Sequence, residues 1–131
     1  MKRASGFTVI EVLVILTFLI VGAGVFISQK AQVEAAGRDS QRKTAINAMY
    51  YSLEEVFYEK NGYYPQTINS KTLRAVDPVL FYDPNGIKIG DSNSGYHYDS
   101  SDCSLDGKCK SYVLHSDMER EASYEKTSRR S

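Results

Sequence analysis

The sequence predicts an α+β protein in which one long N-terminal α-helix packs on a small antiparallel β-sheet head. Three observations predict this class. A run of apolar residues extends from Phe7 to Ile27, and helical periodicity follows it without a stop signal. After Pro65 the periodicity weakens, and short runs containing tyrosine and isoleucine alternate with turn residues. We therefore expect helix in the first half of the chain and a sheet in the second half.

The apolar run contains twenty-one residues, and Glu11 is its only charged residue. As a helix it would reach roughly 30 Å, which is the thickness of a bilayer's hydrocarbon core. Apolar side chains occur all round this helix, so it requires burial on every side. A chain of 131 residues is too short to enclose it in a globular core. The run is therefore predicted to span a membrane or to pack among copies of itself.

The Glu11 carboxylate is the unusual feature of this run. Placing a carboxylate in the hydrocarbon region costs on the order of 3 kcal/mol, and less near the interface. Glu11 lies about 6 Å along the helix from Phe7. Two interpretations remain open: the carboxylate pairs with a positive partner, or its shallow depth lets it reach the headgroups.

The residues after the apolar run predict an amphipathic helix. We call its apolar face the apolar stripe, and its members recur at i, i+3, i+4, i+7, i+10 and i+11: Ile46, Met49, Tyr50, Leu53, Val56 and Phe57. Charged and polar residues fall largely off this stripe: Arg38, Asp39, Arg42, Asn47, Glu54, Glu55 and Glu59. Asn61 and Gly62 form a C-terminal cap signal. One helix is therefore predicted from Phe7 to about Lys60.

Three short strands are predicted beyond a strong turn signal at residues 83–86. They cover residues 87–89, 96–98 and 112–115, and an antiparallel meander on the apolar stripe is the simplest arrangement. The buried face of this sheet is predicted to contain six residues: Ile87, Ile89, Tyr96, Tyr98, Tyr112 and Leu114. Residues 118–131 are charged and rich in serine, so we expect a mobile tail there.

Cys103 and Cys109 are the two cysteines of the sequence, and they flank a loop-like segment. An even pair that follows a membrane span indicates a disulfide in an oxidising compartment. Zinc binding with His97 and His115 as further ligands is the alternative, although the spacing fits no standard zinc pattern. Two acidic clusters between residues 91 and 102 do not match the EF-hand calcium pattern. We expect the disulfide and no metal.

The overall composition excludes some classes of function. Sixteen basic and sixteen acidic residues balance, so the net charge does not point to nucleic acid. Ten tyrosines without tryptophan suit a thin sheet whose hydroxyl groups remain hydrated, and an adhesive tyrosine surface is the functional alternative. The sequence contains no glycine-rich phosphate loop and no catalytic set of residues. We expect neither enzymatic activity nor a cofactor.

A short motif at the start of the apolar run resembles a known signature. The sequence from Gly6 to Glu11 is Gly-Phe-Thr-Val-Ile-Glu, and it follows a short basic leader. This combination closely resembles the class III signal peptide of type IV pilins and pseudopilins, and residues 36–65 are similar to that family as well. The resemblance implies that a prepilin peptidase cuts after Gly6 and methylates the new amine of Phe7. It also implies that Glu11 pairs with the amino terminus of a neighbouring subunit during assembly.

The resemblance and the periodicity together predict four segments, with the whole fold expected to be pilin-like. They are a leader peptide at 1–6, a transmembrane or filament-core helix at 7–29, an amphipathic half-helix at 30–61, and a small β head with a disulfide loop at 62–131. Gly22 and Gly24 weaken the helix within the second segment. Close packing between helices and local unwinding in a filament remain open as their roles.

The function implied is that of a structural subunit of a type IV pilus-like surface filament that serves adhesion, motility or DNA uptake. A pseudopilin or minor pilin of a type II secretion or competence system is the alternative. The expected partners are further copies of the chain, the prepilin peptidase, the assembly platform with its ATPase, and the membrane. We expect a single-pass membrane protein before assembly and an extracellular filament afterwards. A DNA receptor at a filament tip and an anchored surface protein that never polymerises are further possibilities.

Overall fold

The computed structural model describes residues 6–130 and comprises two compact units, Met1–Ala35 and Ala36–Ser131. We call them the N-terminal unit and the head unit. The helical residues form three consecutive elements: α1 at Val9–Tyr51, a π-helix at Ser52–Phe57 and α2 at Tyr58–Asn61. The strands of the described residues are β1 at Tyr64–Pro65, β2 at Tyr96–Cys103, β3 at Lys108–Ser116 and β4 at Tyr124–Thr127, and a 3₁₀ helix lies at Pro78–Phe81. The predicted α+β class with a long apolar N-terminal helix is confirmed.

The helical region ends where the sequence predicts it. Gly62 adopts the left-handed conformation, with φ of 73°, and its amide donates a hydrogen bond to the Tyr58 carbonyl at 2.7 Å. The Asn61 side chain donates to the Phe57 carbonyl at 2.8 Å. A glycine adopts positive φ without a steric penalty, so it closes the last turn of a helix. The predicted helix from Phe7 to about Lys60 agrees with the observed helical residues to within two positions at each end.

β3 is the central strand of a four-stranded antiparallel sheet. β2 pairs along one edge of β3, with His97 opposite His115. β1 and β4 pair with the two ends of β3 on its other edge. The strands predicted at 96–98 and 112–115 are therefore confirmed as parts of β2 and β3, and their antiparallel pairing is confirmed as well.

The strand predicted at 87–89 is wrong. This segment contributes an isolated bridge between Tyr82 and Lys88, and a turn around Asp83 occupies its backbone. The Asp83 carboxylate accepts hydrogen bonds from the backbone amides of Asn85, Ile87 and Gly95, each at 2.9 Å. A side chain that satisfies these amides replaces the ladder that a strand would need. The turn predicted at residues 83–86 is confirmed by the hydrogen bond from the Gly86 amide to the Asp83 carbonyl.

The core of the head unit lies between the apolar stripe and the sheet. Four members of the stripe are buried: Ile46, Met49, Tyr50 and Leu53. Four of the six residues predicted for the buried sheet face are buried: Ile89, Tyr96, Tyr112 and Leu114. Tyr98 and Ile87 are half-buried. The loop after β1 adds further core residues that the periodicity did not identify: Ile68, Leu73, Val76 and Phe81.

The π-helix changes which side chains of the predicted stripe are buried. A π-helical turn contains more residues than an α-helical turn, so positions within and after the π-helix rotate relative to the α-helical pattern. Val56, predicted on the apolar stripe, is 50 % exposed, whereas Glu54, predicted off it, is 3 % exposed. Asp39 and Arg42, which also fall off the predicted stripe, are buried as well. The amphipathic pattern therefore predicts the helix correctly but not its buried charges.

The expectation of a mobile tail at 118–131 is also corrected for the residues that the structure describes. Residues 124–127 form β4, which pairs with β3. Glu119 and Glu121 form ion pairs with basic residues of α1, and Arg129 and Arg130 form ion pairs with acidic residues of the helical region. The charged composition that suggested disorder instead supplies complementary partners for one face of the helix.

Candidate functional site

The helix of the N-terminal unit presents a predominantly apolar surface from Val9 to Ile27. Its large side chains are exposed, with Val9 at 79 %, Phe18 at 74 % and Phe26 at 71 %. The helix is long and apolar enough to cross a membrane, and none of the side chains in its most apolar segment is buried within the chain. Exposing this much apolar surface to water is strongly unfavourable, because each buried methylene is worth about 0.8 kcal/mol. The surface therefore requires lipid or other apolar helices around it.

One face of this helix forms a groove of about 310 Å³. It is lined by residues at i, i+3, i+4, i+7, i+8 and i+11: Ile10, Leu13, Val14, Thr17, Phe18 and Val21. Side chains at these spacings form ridges and grooves into which a second helix packs. The groove has the shape that helix–helix packing uses.

Hydroxyl groups within the apolar helix are satisfied locally. The Thr17 hydroxyl donates to the Leu13 carbonyl at 2.8 Å, and the Ser28 hydroxyl donates to the Val25 carbonyl at 2.9 Å. Bonds of this kind remove the cost of placing a hydroxyl in an apolar environment. These two side chains therefore need no partner from outside the helix.

Glu11 occupies the third position of the helix, immediately beyond its N-terminal cap. The Thr8 hydroxyl accepts a hydrogen bond from the Glu11 amide at 3.3 Å, and the Thr8 carbonyl accepts from the same amide at 3.1 Å. Thr8 and Glu11 have the Thr-x-x-Glu spacing of a capping box. This spacing in the sequence indicates that the helix begins directly after Thr8. The positive end of the helix dipole also favours a carboxylate here. Thr8 is thus a site residue that sequence reasoning missed.

Within residues 6–130, no side chain donates a hydrogen bond or an ion pair to the Glu11 carboxylate. The predicted amino-terminal partner would come from another copy, so the described residues of one chain do not test it. Gly6 and Phe7 lie just before the helix, outside any regular element, and both are exposed. A peptide bond in such a segment is accessible to a protease. The rest of the predicted leader, residues 1–5, lies outside the described residues.

Gly22 and Gly24 lie within α1, which is helical at this point. A methyl group added at either position would meet no atom within 4 Å. The surface there is open, so a neighbouring helix could approach the backbone closely. Unwinding of this part in a filament stays a prediction.

The head unit contains an ionic cluster, which we call the charged clasp: Asp39 and Arg42, which are buried, and Arg38 and Glu119, whose side chains are 38 % and 34 % exposed. Asp39 accepts hydrogen bonds from Arg42 Nη1 at 2.8 Å and from the backbone amides of Glu119 and Arg120 at 2.9 and 3.0 Å. Arg38 donates two hydrogen bonds to the Glu119 carboxylate, at 2.7 and 2.6 Å. Arg42 Nη1 also lies 2.9 Å from Glu119 Oε1. The clasp fastens the segment before β4 to α1.

The contacts of the clasp lower the pKa of both carboxyl groups. Burial alone raises the pKa of Asp39, but the two backbone amides and Arg42 outweigh it, and the net shift is downward. Hydrogen bonds from Arg38 and Arg42 lower the pKa of Glu119 to about 2. Arg42 Nε is buried and has no hydrogen-bond partner among the described residues. Both carboxylates are therefore ionised at neutral pH, and their charge holds the clasp closed.

Glu54 is a second buried carboxylate, placed in the core by the π-helix. The Tyr112 hydroxyl donates to it at 2.8 Å, the Tyr64 hydroxyl at 3.0 Å and the Arg129 amide at 3.2 Å. Burial and the nearby Glu54 raise the pKa of Tyr64 and Tyr112 above the usual range for tyrosine. Tyr64 and Tyr112 therefore serve as internal hydrogen-bond donors to this carboxylate. No periodicity signal could have revealed this cluster, because Tyr112 and Arg129 lie more than fifty positions from Glu54 in the sequence.

The predicted disulfide is present between Cys103 and Cys109. The two cysteines lie directly opposite each other at the ends of β2 and β3. Cys109 is fully buried, and Cys103 is exposed. The bond closes the hairpin between these strands.

The two histidines of the sequence meet across the sheet. Their rings stack with centroids 4.7 Å apart, His97 Nε2 lies 3.4 Å from Asp117 Oδ2, and His115 Nδ1 lies 3.9 Å from Asp99 Oδ2. The structure does not bring either histidine to the cysteines, which are joined to each other. Within the described residues, no group of three or more histidine, cysteine or acidic side chains is arranged to hold a metal ion.

The arrangement of helix and sheet is pilin-like: the chain has one long N-terminal helix that is apolar at its start, and the later half of this helix packs on a small antiparallel sheet. Comparisons with protein-family models, with curated proteins and with solved structures found no match.

Proposed function

We propose that this chain is a pilin-like structural subunit of a type IV pilus-like surface filament. Its N-terminal helix holds it in the membrane before assembly and then packs with the helices of other copies. The observation that carries the proposal is the exposed apolar helix of the N-terminal unit, which begins with a capped turn carrying one carboxylate. A folded head unit with its own core accompanies this helix.

The physical reason for assembly is an exchange of one apolar environment for another. Side chains such as Ile10 and Phe18 leave lipid and enter a bundle of equivalent helices, so little hydrophobic stabilisation is lost. Glu11 then determines which register of neighbouring helices can form. A carboxylate in an apolar bundle is strongly disfavoured unless a positive group lies beside it, so only one register of neighbouring helices is acceptable. The new amine of Phe7 in an adjacent copy supplies that group under this proposal.

The test compares two glutamate substitutions in the same helix. Glu11→Ala is expected to leave the processed protein in the membrane without filaments. Glu34→Ala is the matched control, because Glu34 is exposed and forms only a surface pair with Lys30 at 3.8 Å. Sheared surface material and membranes are quantified by immunoblot, and mass spectrometry reports the amino terminus and its methylation.

Two outcomes contradict the proposal. A mature protein that lacks residues 7–27 shows that the apolar helix is only a signal sequence. Equal distribution of wild-type protein and the Glu11→Ala variant, with no filaments from either, shows an anchored protein that does not polymerise. The abundance of the chain in sheared filaments separates a major subunit from a minor pilin or pseudopilin.

A further inference from the structure

The hairpin between β2 and β3 ends in a largely exposed tip closed by a disulfide, and we define the tip as residues 102–109. The disulfide closes its base, the Gly107 amide donates to the Ser104 carbonyl at 2.9 Å, and the Ser104 amide donates to the Lys108 carbonyl at 2.8 Å. Gly107 adopts positive φ at 73°, as this turn requires. The tip is therefore already ordered before it meets any partner, which reduces the entropy lost on binding.

Leu105 stands at the end of this tip and is completely exposed, at 109 % of its reference area. Asp102 and Asp106 lie on either side of it, and both are exposed. Within residues 6–130, neither carboxylate forms an ion pair. Lys108, the cation of the tip, lies 5.5 Å from the centroid of the Tyr63 ring. The tip thus presents an apolar side chain and two carboxylates that form no ion pair within the described part of the chain.

The head unit also contains a cleft of about 420 Å³ whose charged side chains are cations, in contrast to the carboxylates of the tip. It lies between the end of the helical region and the loop at 71–75. Val56, Phe57 and Leu73 give it an apolar lining. Its rim carries three cations: Lys60, Lys71 and Arg74.

The cations of this rim have no acidic partner within 4 Å among the described residues, whereas Arg129 and Arg130 nearby are paired with Glu55 and Glu59. A second cleft of about 440 Å³, beside Tyr82, is lined by Asp83 and by no lysine or arginine of the described residues. The first cleft is lined by three cations and no carboxylate from residues 6–130, so its charge suits the Asp102 and Asp106 carboxylates better than the second cleft does.

We infer that the hairpin tip of one copy docks into the cationic cleft of a second copy. Leu105 enters the apolar lining, and Asp102 and Asp106 pair with the rim lysines and Arg74. The inference rests on the proposed function, which places many copies side by side at high local concentration. Because the tip and the cleft are different surfaces, the contact is heterologous, and such contacts propagate along an open assembly.

The first experiment tests the pairing in wild-type filaments. A carbodiimide joins a carboxylate directly to an amine in contact with it, so intact sheared filaments are treated and separated on a denaturing gel. We expect covalent dimers whose linked peptides connect Asp102 or Asp106 to Lys60 or Lys71. Dimers in which no linked peptide contains Asp102 or Asp106 would overturn the inference, and a link between Glu11 and the Phe7 amine is counted separately because the proposed function already predicts it.

The second experiment exchanges the charges. Asp106→Lys and Lys71→Asp are each expected to reduce sheared filament about tenfold or more, because facing like charges oppose association. The double variant should recover filament, because each copy then carries the exchanged pair. Asp91→Lys and Lys88→Asp are matched controls, since both residues are exposed and lie outside the tip and the cleft.

Folding and function are checked separately from the contact. Each variant must be present in the membrane with its disulfide closed, as shown by thiol labelling, so a loss of filament is not a loss of fold. Normal filament from Asp106→Lys contradicts the docking contact and leaves the proposed function intact. Absence of filaments from the wild-type chain contradicts the proposed function and removes the docking contact with it.

Discussion

Removing the Asp39 carboxylate is expected to destabilise the head unit severely. Asp39 is 3 % exposed and accepts three hydrogen bonds, each of which is worth about 1.5 to 3 kcal/mol when the acceptor is charged. These contributions are not additive, and Asp39→Ala leaves Arg42 buried with Glu119 as its remaining partner. Breaking a buried ion pair costs about 3 to 5 kcal/mol, and the remaining partner places the loss near the lower limit. We expect the free energy of unfolding to fall by about 3 kcal/mol.

The assay is thermal unfolding of the full chain in detergent, followed by near-ultraviolet circular dichroism of tyrosine. All ten tyrosines lie at or beyond position 50, so the signal reports on the head unit. A loss of 3 kcal/mol corresponds to a decrease in Tm of about 12 to 24 °C for a unit of this size. Glu121→Gln is the control, because the exposed Lys43–Glu121 pair contributes about 1 kcal/mol or less.

A double variant separates the lost pair from other effects of the substitution. Asp39→Ala combined with Arg42→Met removes the buried guanidinium along with its partner, so part of the lost stability should return. The reasoning is refuted if Asp39→Ala lowers the stability by no more than Glu121→Gln. It is refuted equally if the double variant is less stable than Asp39→Ala.

Three further predictions concern other parts of the head unit. Burial raises the pKa of Asp83, but hydrogen bonds from three backbone amides lower it overall, so its contribution is present above about pH 4 and is lost as the pH falls further. Urea unfolding at pH 5 and pH 3 should show this loss, and Asp83→Asn should show a flatter dependence. Replacing Cys103 and Cys109 by serine should lower stability by about 2 kcal/mol, measured by urea unfolding against the oxidised wild type. Tyr112→Phe should cost about 1 to 3 kcal/mol, because Glu54 loses its shortest hydrogen bond, and an unchanged Tm would contradict the role of this hydroxyl.

Much of the fold could be predicted because its signals are local. The apolar run, the stripe and the Asn61–Gly62 cap each lie within one segment of sequence, and the observed helix ends where they predict. The cysteine pair and the two main strands also follow from short patterns. Such signals depend on the preferences of neighbouring residues, which a sequence displays directly.

The parts that could not be predicted depend on distant partners. Asp39 and Glu54 are buried because residues near positions 119 and 129 satisfy their carboxylates. β4 forms because β3 offers it a free edge, although residues 124–127 alone have the composition of a tail. The segment 87–89 fails as a strand because the Asp83 side chain binds its backbone. Each of these outcomes is set by tertiary contacts that outweigh local preference.

The candidate site likewise has parts that the sequence predicted and parts that depend on residues brought together by folding. The motif from Gly6 to Glu11, the apolar helix and the loop between the cysteines were predicted from the sequence, whereas the Thr8 cap was not. The cationic cleft could not be predicted, because it joins the end of the helix to a loop some fifteen residues later. Surfaces of that kind exist only after the chain has folded.

The charged clasp also determines when the head can finish folding during synthesis. Asp39 and the amides that bind it are separated by about eighty residues, which a ribosome needs roughly 4 to 16 seconds to add. The apolar helix leaves the ribosome long before that and can enter the bilayer first. Until residues 119 and 120 emerge, α1 carries Arg42 and Asp39 without their later partners. If the chain is inserted as the proposed function has it, a nascent chain interrupted before this point is held in the membrane with an unfinished head unit, which is open to proteases.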